Sequence, residues 1–357
     1  MLVLQLLPTI SYGDAVSNDT LALEKVIKKM GYKTEIYAKS IDTRLPKGTA
    51  KDYKKMPKLS KDDVVIYHLS TGSGLNYVFG NLKCRKIVIY HNVTPPHFFE
   101  QYNKDAAART AEGLEAVKWL ADKVDYCIAD SDFNKRELVE IGYKCKIDVL
   151  PILIPFDDYK KTPDEDMVKQ YSDGYTNILF TGRIAPNKCQ EDVIRSFAFY
   201  KKYYNPKSRL ILVGSDTGYE NYKNRLQRLV NFLEVEDVEF TSHIKFNQIL
   251  SCYRAADVFL CQSEHEGFCV PLVEAMCFDV PVIAYDAAAI SDTLGGSGIL
   301  LHNKNHIETA GMIDRLVKDK ELKSKVIANQ RKRLKDFEYS VIAKQFEQYL
   351  KQFMQGR

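Results

Sequence analysis

Short apolar runs recur along the chain and alternate with stretches of helical periodicity. In the first half the runs are LVLQLL near the start, KTEIYA at 33–38, DVVIYH at 63–68, RKIVIYH at 85–91, VDYCIA at 124–129 and IDVLPI at 147–152. Residues 21–30 and 106–121 read as helices between them. Runs rich in β-branched residues, without strict alternation, predict strands buried on both faces. Strands that alternate with helices predict parallel βαβ units. The rhythm breaks over residues 155–176, where FDDYKKTPDED at 156–166 is polar and charged and reads as a linker. It restarts with NILFT at 177–181, RLILV at 209–213, DVEF at 237–240, DVFLC at 257–261, VPVIAY at 280–285 and GILL at 298–301. The expected fold class is α/β, with two doubly wound parallel-sheet domains over 1–160 and 161–339. A last segment, 340–357, carries a helical stripe of Val341, Ile342, Phe346, Leu350 and Phe353.

Composition agrees with this division. A length of 357 residues suits two domains, and 45% hydrophobic with 27% charged residues is ordinary for globular units. A formal charge of +4 is mild for this length and does not suggest a dedicated nucleic-acid binder. Eight cysteines are scattered at 84, 127, 145, 189, 252, 261, 269 and 277 without a C-x2-C pair, so no thiolate metal site is expected. Their use inside apolar runs predicts a reducing, cytoplasmic setting. The apolar start at Met1 to Leu7 lacks a basic lead and reads as a strand rather than a signal peptide. No run approaches the roughly 20 apolar residues that span a bilayer. Lysines 51, 54, 55, 58 and 61 and the patch at 201–204 could touch anionic headgroups at the inner membrane face, although a solvated surface is the plainer reading.

In open parallel sheets, ligands bind beyond the carboxyl ends of the strands. Glu266-Gly267-Phe268-Cys269-Val270-Pro271-Leu272-Val273-Glu274 directly follows DVFLC. Pro271 suits the first turn of a helix, whose free amides can bind an anion. Glu274 then falls in that turn, while Glu266 sits in the loop before it. Alone, two glutamates at this spacing read as an ordinary strand–loop–helix junction. A second segment changes the balance. Gly182-Arg183-Ile184-Ala185-Pro186-Asn187-Lys188 follows NILFT, and its two cations can neutralise a diphosphate without a divalent metal.

GRIAPNK at 182–188, LVGSD at 212–216, SEHEGFCVPLVEAM at 263–276 and PVIAYDAAAISDTLGGSGILL at 281–301 together resemble the donor site of retaining glycosyltransferase family four. The resemblance implies the GT-B fold, two Rossmann-like domains facing a cleft, with no metal and no cofactor. It implies that Arg183 and Lys188 hold the donor phosphates and that Glu266 contacts the transferred sugar. The amides of Gly267, Phe268, Cys269 and Val270 would surround its hydroxyls and phosphate, and Glu274 would bind the ribose. Gly182 shapes the exit from its strand, and Gly214, His243 and Ile244 would line the nucleoside pocket. The C-terminal stripe is similar to the helix that crosses back to the first domain. Cys269 departs from the pattern, because many members carry glycine there, and Asp292 stands where glutamate is usual.

In the first half, His91 and Asn92 follow RKIVIY and precede two prolines. His91 resembles the cleft histidine that contacts the donor hexose, the alternative being a solvent-facing structural residue. Gly13 and Asp14 follow the first strand and are candidates near the donor diphosphate. His68, Ser70 and Gly72 could line the same cleft, and Pro95 to Phe99 reads as an acceptor-facing loop. Asp130-Ser131-Asp132 has the D-x-D form of a metal holder, but the helix that follows favours an acidic cap.

The expected activity is transfer of a hexose, mannose or rhamnose favoured, from a nucleotide-diphosphate sugar to a glycan or lipid-linked acceptor in polysaccharide biosynthesis. GDP-mannose is the favoured donor, followed by dTDP- and UDP-sugars. The catalytic candidates are Glu266, His91, Arg183 and Lys188. The rivals are a nucleotide-sugar epimerase on the same fold, a non-catalytic GT-B partner subunit and an NAD-dependent enzyme. The last lacks a G-x-G-x-x-G after the first strand.

Overall fold

The computed structural model of the chain describes residues 1–356 and divides into two units, each built on its own parallel sheet. The first unit comprises Met1–His97, Asp105–Pro155 and the tail from Asp336 onward. The second comprises Phe156–Lys335 and a short strap, Phe98–Lys104, contributed by the first half of the chain. Nothing in composition marks that strap, of which only Phe98 and Phe99 fall in the stretch Pro95 to Phe99 that the sequence reads as an acceptor-facing loop.

The first sheet has the order β3-β2-β1-β4-β5-β6-β7. Its strands are β1 (Val3–Ile10), β2 (Ile36–Ile41), β3 (Lys51–Asp52), β4 (Val64–Leu69), β5 (Arg85–Tyr90), β6 (Tyr126–Ala129) and β7 (Lys146–Val149). Alternate residues feed opposite faces, as the two-residue strand period requires. Leu4, Leu6, Val65, Tyr67, Val88 and Tyr90 fill one core. Val3, Val64, Ile66, Ile87, Ile89 and Ile128 fill the other, beneath helix Ala15–Lys29. The edge strand β3 is two exposed polar residues, so no apolar signal announces it. Strand β2 is displaced from the expected 33–38 toward Ile41, and β7 stops at Val149.

The C-terminal helix, Tyr339–Gln355, packs Ile342, Phe346 and Leu350 into that second core. Each such burial contributes roughly 1.5–3 kcal/mol. Phe353 stacks on Tyr126 at 5.6 Å, and the Arg85 guanidinium lies 4.1 Å from the Phe353 ring centre. The helix therefore returns to the first unit, as the resemblance implies. Val341 faces outward, 44% exposed.

The second sheet has the order β10-β9-β8-β11-β12-β13. Its strands are β8 (Thr176–Thr181), β9 (Ser208–Val213), β10 (Val238–Ser242), β11 (Val258–Cys261), β12 (Val282–Tyr285) and β13 (Ile299–Leu301). Strand order reverses between β8 and β11, which is where an open α/β sheet leaves room for a ligand. The expected linker is folded. It forms a 3-10 turn at Phe156–Lys160 and a helix at Glu165–Tyr171, capped by Asp164, which accepts from the Met167 N–H. Among the described residues no helix is long and apolar enough to cross a membrane.

Candidate functional site

The site is assembled on the loops that leave β8 and β11. The Gly182 N–H donates to the Val213 carbonyl and the Ile184 N–H to the Ser215 carbonyl, both at 2.9 Å. These bonds lay the β8 loop against the β9 loop. Gly214 sits at φ +153°, and a Cβ there would lie 1.9 Å from the Gly182 carbonyl oxygen. On the other side, the Glu264 N–H donates to the Asn187 carbonyl at 2.9 Å and Asn187 Nδ2 donates to the His265 carbonyl at 3.0 Å. The two loops are thus stitched together by backbone and amide bonds. The result is Lys188 Nζ at 2.5 Å from Glu266 Oε2, with the side chains 21% and 9% exposed.

Arg183 leaves the same loop into solvent. Its guanidinium lies 5.2 Å from the Tyr219 ring centre, and no ion pair holds it among the described residues. Tyr219 is in turn packed by the strap. Phe99 lies 5.6 Å from it, Asn103 Nδ2 donates to the Gly218 carbonyl at 2.8 Å, and Arg225 donates to the Tyr102 hydroxyl at 2.8 Å. A free guanidinium held over an aromatic face is ready for a bidentate phosphate contact.

Glu274 lies in helix Val270–Cys277. Its carboxylate accepts the Tyr159 hydroxyl at 2.8 Å and the Tyr253 hydroxyl at 2.7 Å. Tyr253 spends its one proton on Glu274, so the Thr181 hydroxyl, 2.5 Å away, donates to it. Burial raises the Glu274 pKa above the usual carboxylate range, with the two tyrosine bonds pulling it down. A carboxylate accepts about four hydrogen bonds, so two sites stay open for hydroxyl groups. Sequence reading missed both tyrosines. Tyr159 lies in the segment taken as a linker, and Tyr253 lies in helix Phe246–Ala255 without a motif around it. The only available signal is general: a buried tyrosine seeks a partner for its O–H.

Gly267 is half-buried, and the Phe268 carbonyl accepts the Thr293 hydroxyl. Cys269 is held at φ +71° and ψ +65°, the left-handed region that favours glycine. That geometry gives the physical reason why glycine is common at this position in the family the sequence resembles. Val270 opens the helix. Exposed His243 and half-buried Ile244 follow β10, two strands from β8. Their link to the rest runs through Phe246, whose ring lies 6.0 Å from that of Tyr159.

In the first unit, Gly13 turns at φ +76°. Asp14 caps helix Ala15–Lys29, accepting the Ser17 N–H and hydroxyl, each at 2.9 Å. Capping alone explains that aspartate. Ser131 caps helix Asp132–Ile141 by accepting the Asn134 N–H, and Asp130 pairs with His91.

His91 follows β5 with a side chain only 1% exposed. His91 Nδ1 lies 2.8 Å from Asp130 Oδ2, and His91 Nε2 lies 2.9 Å from His68 Nδ1. His68 Nε2 lies 3.0 Å from Gln5 Oε1, and Gln5 Nε2 donates to the Thr20 carbonyl at 2.9 Å. That last bond fixes the polarity of the whole chain. His68 must donate from Nε2, so its Nδ1 accepts from His91 Nε2–H. The His91–Asp130 pair then carries one extra proton, written as an imidazolium beside a carboxylate. Burial favours the uncharged form of His91, but the Asp130 charge and hydrogen bond outweigh it and raise its pKa. Burial and the neighbouring His91 hold His68 well below its ordinary value. Asp19, buried nearby and accepting the Leu153 N–H at 2.8 Å, is pushed up to about 7, chiefly by burial.

Residues 163–333, nearly all of the second unit, match the family described as glycosyl transferases group 1. The second unit is similar to a group 1 glycosyltransferase domain. Among curated proteins, an uncharacterized glycosyltransferase of Methanocaldococcus jannaschii is 23% identical over 70% of this chain and 64% of its own length. The O-antigen chain mannosyltransferase B of Escherichia coli is 23% identical over 66% of this chain and 60% of its own. The chain spans about half to two thirds of the length of the curated relatives it matches. Among solved structures, Anabaena HepE in complex with UDP and glucose shares the fold, with a TM-score of 0.77 and 19% identity, covering 99% of this chain and 100% of that one. The two parallel α/β units are those of the GT-B fold.

Proposed function

We propose that the second unit makes this chain a metal-independent, retaining hexosyltransferase that uses a nucleotide-diphosphate sugar. The observation that carries the reading is the pairing of an unbridged, ring-backed Arg183 with the Lys188–Glu266 contact on the two loops flanking the strand reversal. Two cations on one strand exit, with a carboxylate beside one of them, suit a diphosphate attached to a polyol. Arg183 and Lys188 stabilise the charge that develops on the departing diphosphate. Glu266, shared with Lys188, accepts hydroxyls of the sugar, and the open lone pairs of Glu274 accept those of the ribose. Phosphate charge neutralised by side chains leaves no demand for a divalent metal.

The acceptor is a glycan or lipid-linked sugar, and the favoured donor is GDP-mannose. The O-antigen mannosyltransferase relative supports both choices. HepE, bound to UDP and glucose, supports a UDP-sugar as the next donor. A panel of GDP-mannose, dTDP-rhamnose and UDP-glucose, scored by released nucleotide diphosphate and by NMR of the product's anomeric proton, tests the reading. Net retention with nucleotide release in the presence of a chelator is expected. An inverted product, strict metal dependence or donor isomerisation without any acceptor would overturn it.

A further inference from the structure

We propose that Cys261, Cys269 and Glu266 form a binding site for a thiophilic divalent cation of the zinc class, built into the same loop. The site rests on this cluster alone, and its consequence for turnover rests on the function proposed above.

Cys261 ends β11 and is 1% exposed, and Cys269 is the cap residue before the following helix and is 6% exposed. The intervening loop folds back, and the left-handed turn at Cys269 brings its thiol beside Cys261. The two Sγ atoms and one Glu266 carboxylate oxygen all lie within 4.8 Å of one another. Ligands on a tetrahedral zinc ion, bound at about 2.3 Å for sulfur and 2.0–2.2 Å for oxygen, sit roughly 3.3–3.8 Å apart. Small side-chain rotations therefore close the set. Three protein ligands and one open position is a recognised zinc arrangement, and thiolates select soft ions over magnesium or calcium.

The ion competes for Glu266 with Lys188, whose Nζ lies 2.5 Å from that carboxylate, and the two thiolates supply the charge that favours the exchange. The hydrogen bond from Cys269 lowers the Cys261 thiol below its ordinary range, while burial pushes Cys269 up. Binding proceeds by exchange: the ion gains two thiolate bonds, and two thiol protons leave to solvent. The rival three-ligand clusters among the described residues offer at most one thiol each, and their other groups are engaged. Lys304 bonds both carboxylates beside Cys189, at 2.8 and 2.6 Å, and His68 and His91 are consumed by their hydrogen-bonded chain. Cys127 and Cys145, 3.5 Å apart, have no carboxylate in a comparable cluster among the described residues. An ion on the Cys261–Cys269 pair takes Glu266 from Lys188 and removes it from the sugar, so cations of this class inhibit transfer.

Cadmium is the probe, because its thiolate complexes absorb in the ultraviolet. The full-length chain is expected to bind one equivalent with a saturable charge-transfer band, displaced by zinc, with release of protons. Cys269→Gly suits the left-handed turn and keeps the fold intact. It should lose the saturable band, as should Cys261→Ser, while Cys145→Ser retains it. An undiminished band in Cys269→Gly, or its loss in Cys145→Ser, overturns the proposal. Zinc inhibition, measured for each variant against its own metal-free rate, should disappear in Cys269→Gly, and its persistence there also overturns it. Cadmium binding without turnover of any nucleotide sugar would defeat the proposed function and leave the cation site standing. Turnover without a cadmium band in the wild type would do the reverse.

Discussion

Gly214 is barred from carrying a side chain by Gly182, whose carbonyl oxygen lies 1.9 Å from where a Cβ would be placed. The obstruction is backbone and cannot rotate away. The Gly182 and Ile184 amides meanwhile hold the two loops together. Gly214→Ala must therefore open the joint between the β8 and β9 loops and displace Arg183, in addition to straining a backbone at φ +153°. A loss of about 2–4 kcal/mol is expected. It would be read as a lowered unfolding midpoint, together with loss of nucleotide-sugar binding in calorimetry. A variant with wild-type affinity would show that the close approach of these loops does not position Arg183.

Lys188 and Glu266 are mutually dependent. Removing the lysine leaves a nearly buried carboxylate without its cation, whereas removing both charges leaves neither stranded. Lys188→Met should thus unfold at lower denaturant than the Lys188→Met/Glu266→Gln double variant. Both should lose at least about 100-fold in transfer rate, since a preorganised charge at the leaving group is gone. Equal midpoints for the single and double variants would mean that solvent screens the pair completely.

Arg183 depends on a support that the strap supplies. Phe99 packs Tyr219, whose ring backs the guanidinium. Phe99→Ala should loosen that backing, costing about 3 kcal/mol or more through lost packing, and should raise the KM for donor more than it lowers kcat. A pure kcat effect would separate the strap from donor binding.

The sequence revealed the sheets because strands buried on both faces are written in unbroken apolar runs, and Gly182, Arg183, Lys188, Glu266 and Glu274 stand out in it because strand exits concentrate chemistry. What escaped it has physical causes. Tyr159 sits in a polar stretch whose charges face solvent while one ring turns inward toward Glu274. Strand β3 is held by two residues without apolar character. The burial of His91 depends on Gln5, His68 and Asp130, which come from three other strands or strand exits, and no local window contains them. Cys261 and Cys269 are eight positions apart and meet only because the loop reverses at a left-handed residue.

Tyr159 and Tyr253 favour the ionised form of Glu274 against its burial. Each O–H bond favours the charged form, so Tyr159→Phe must raise the Glu274 pKa beyond its already elevated position. If ribose hydroxyls bind the carboxylate and not the acid, the acidic limb of donor affinity moves to higher pH in Tyr159→Phe. It moves further in the Tyr159→Phe/Tyr253→Phe pair. Affinity at alkaline pH should change much less, since Glu274 is ionised there with or without its partners. Calorimetric titration of the nucleoside diphosphate across the pH range checks this, and a limb that stays in place would remove Glu274 from donor recognition.

Asp19 makes the first unit's stability pH-dependent with a definite sign. Its pKa rises from 3.8 to about 7, burial leading, with His91 opposing, Asp130 assisting and the Leu153 amide opposing. The folded state then holds a proton that the unfolded chain releases. Stability from this group is complete below about pH 4 and is lost as pH climbs toward 7. Three pH units correspond to about 4 kcal/mol, shared in practice with the His91–Asp130 pair. Asp19→Asn keeps the oxygen that accepts the Leu153 N–H at 2.8 Å and has no proton to lose. Urea midpoints measured from pH 4.5 to 7.5 should fall in the wild type relative to the variant, so that Asp19→Asn is the more stable chain at pH 7.5. The other titrating groups, His68, His91 and Asp130, remain in both proteins, so the difference between the two curves reports Asp19 together with its coupling to His91 and Asp130. Parallel curves would mean that the buried carboxyl keeps an ordinary pKa and that water reaches it.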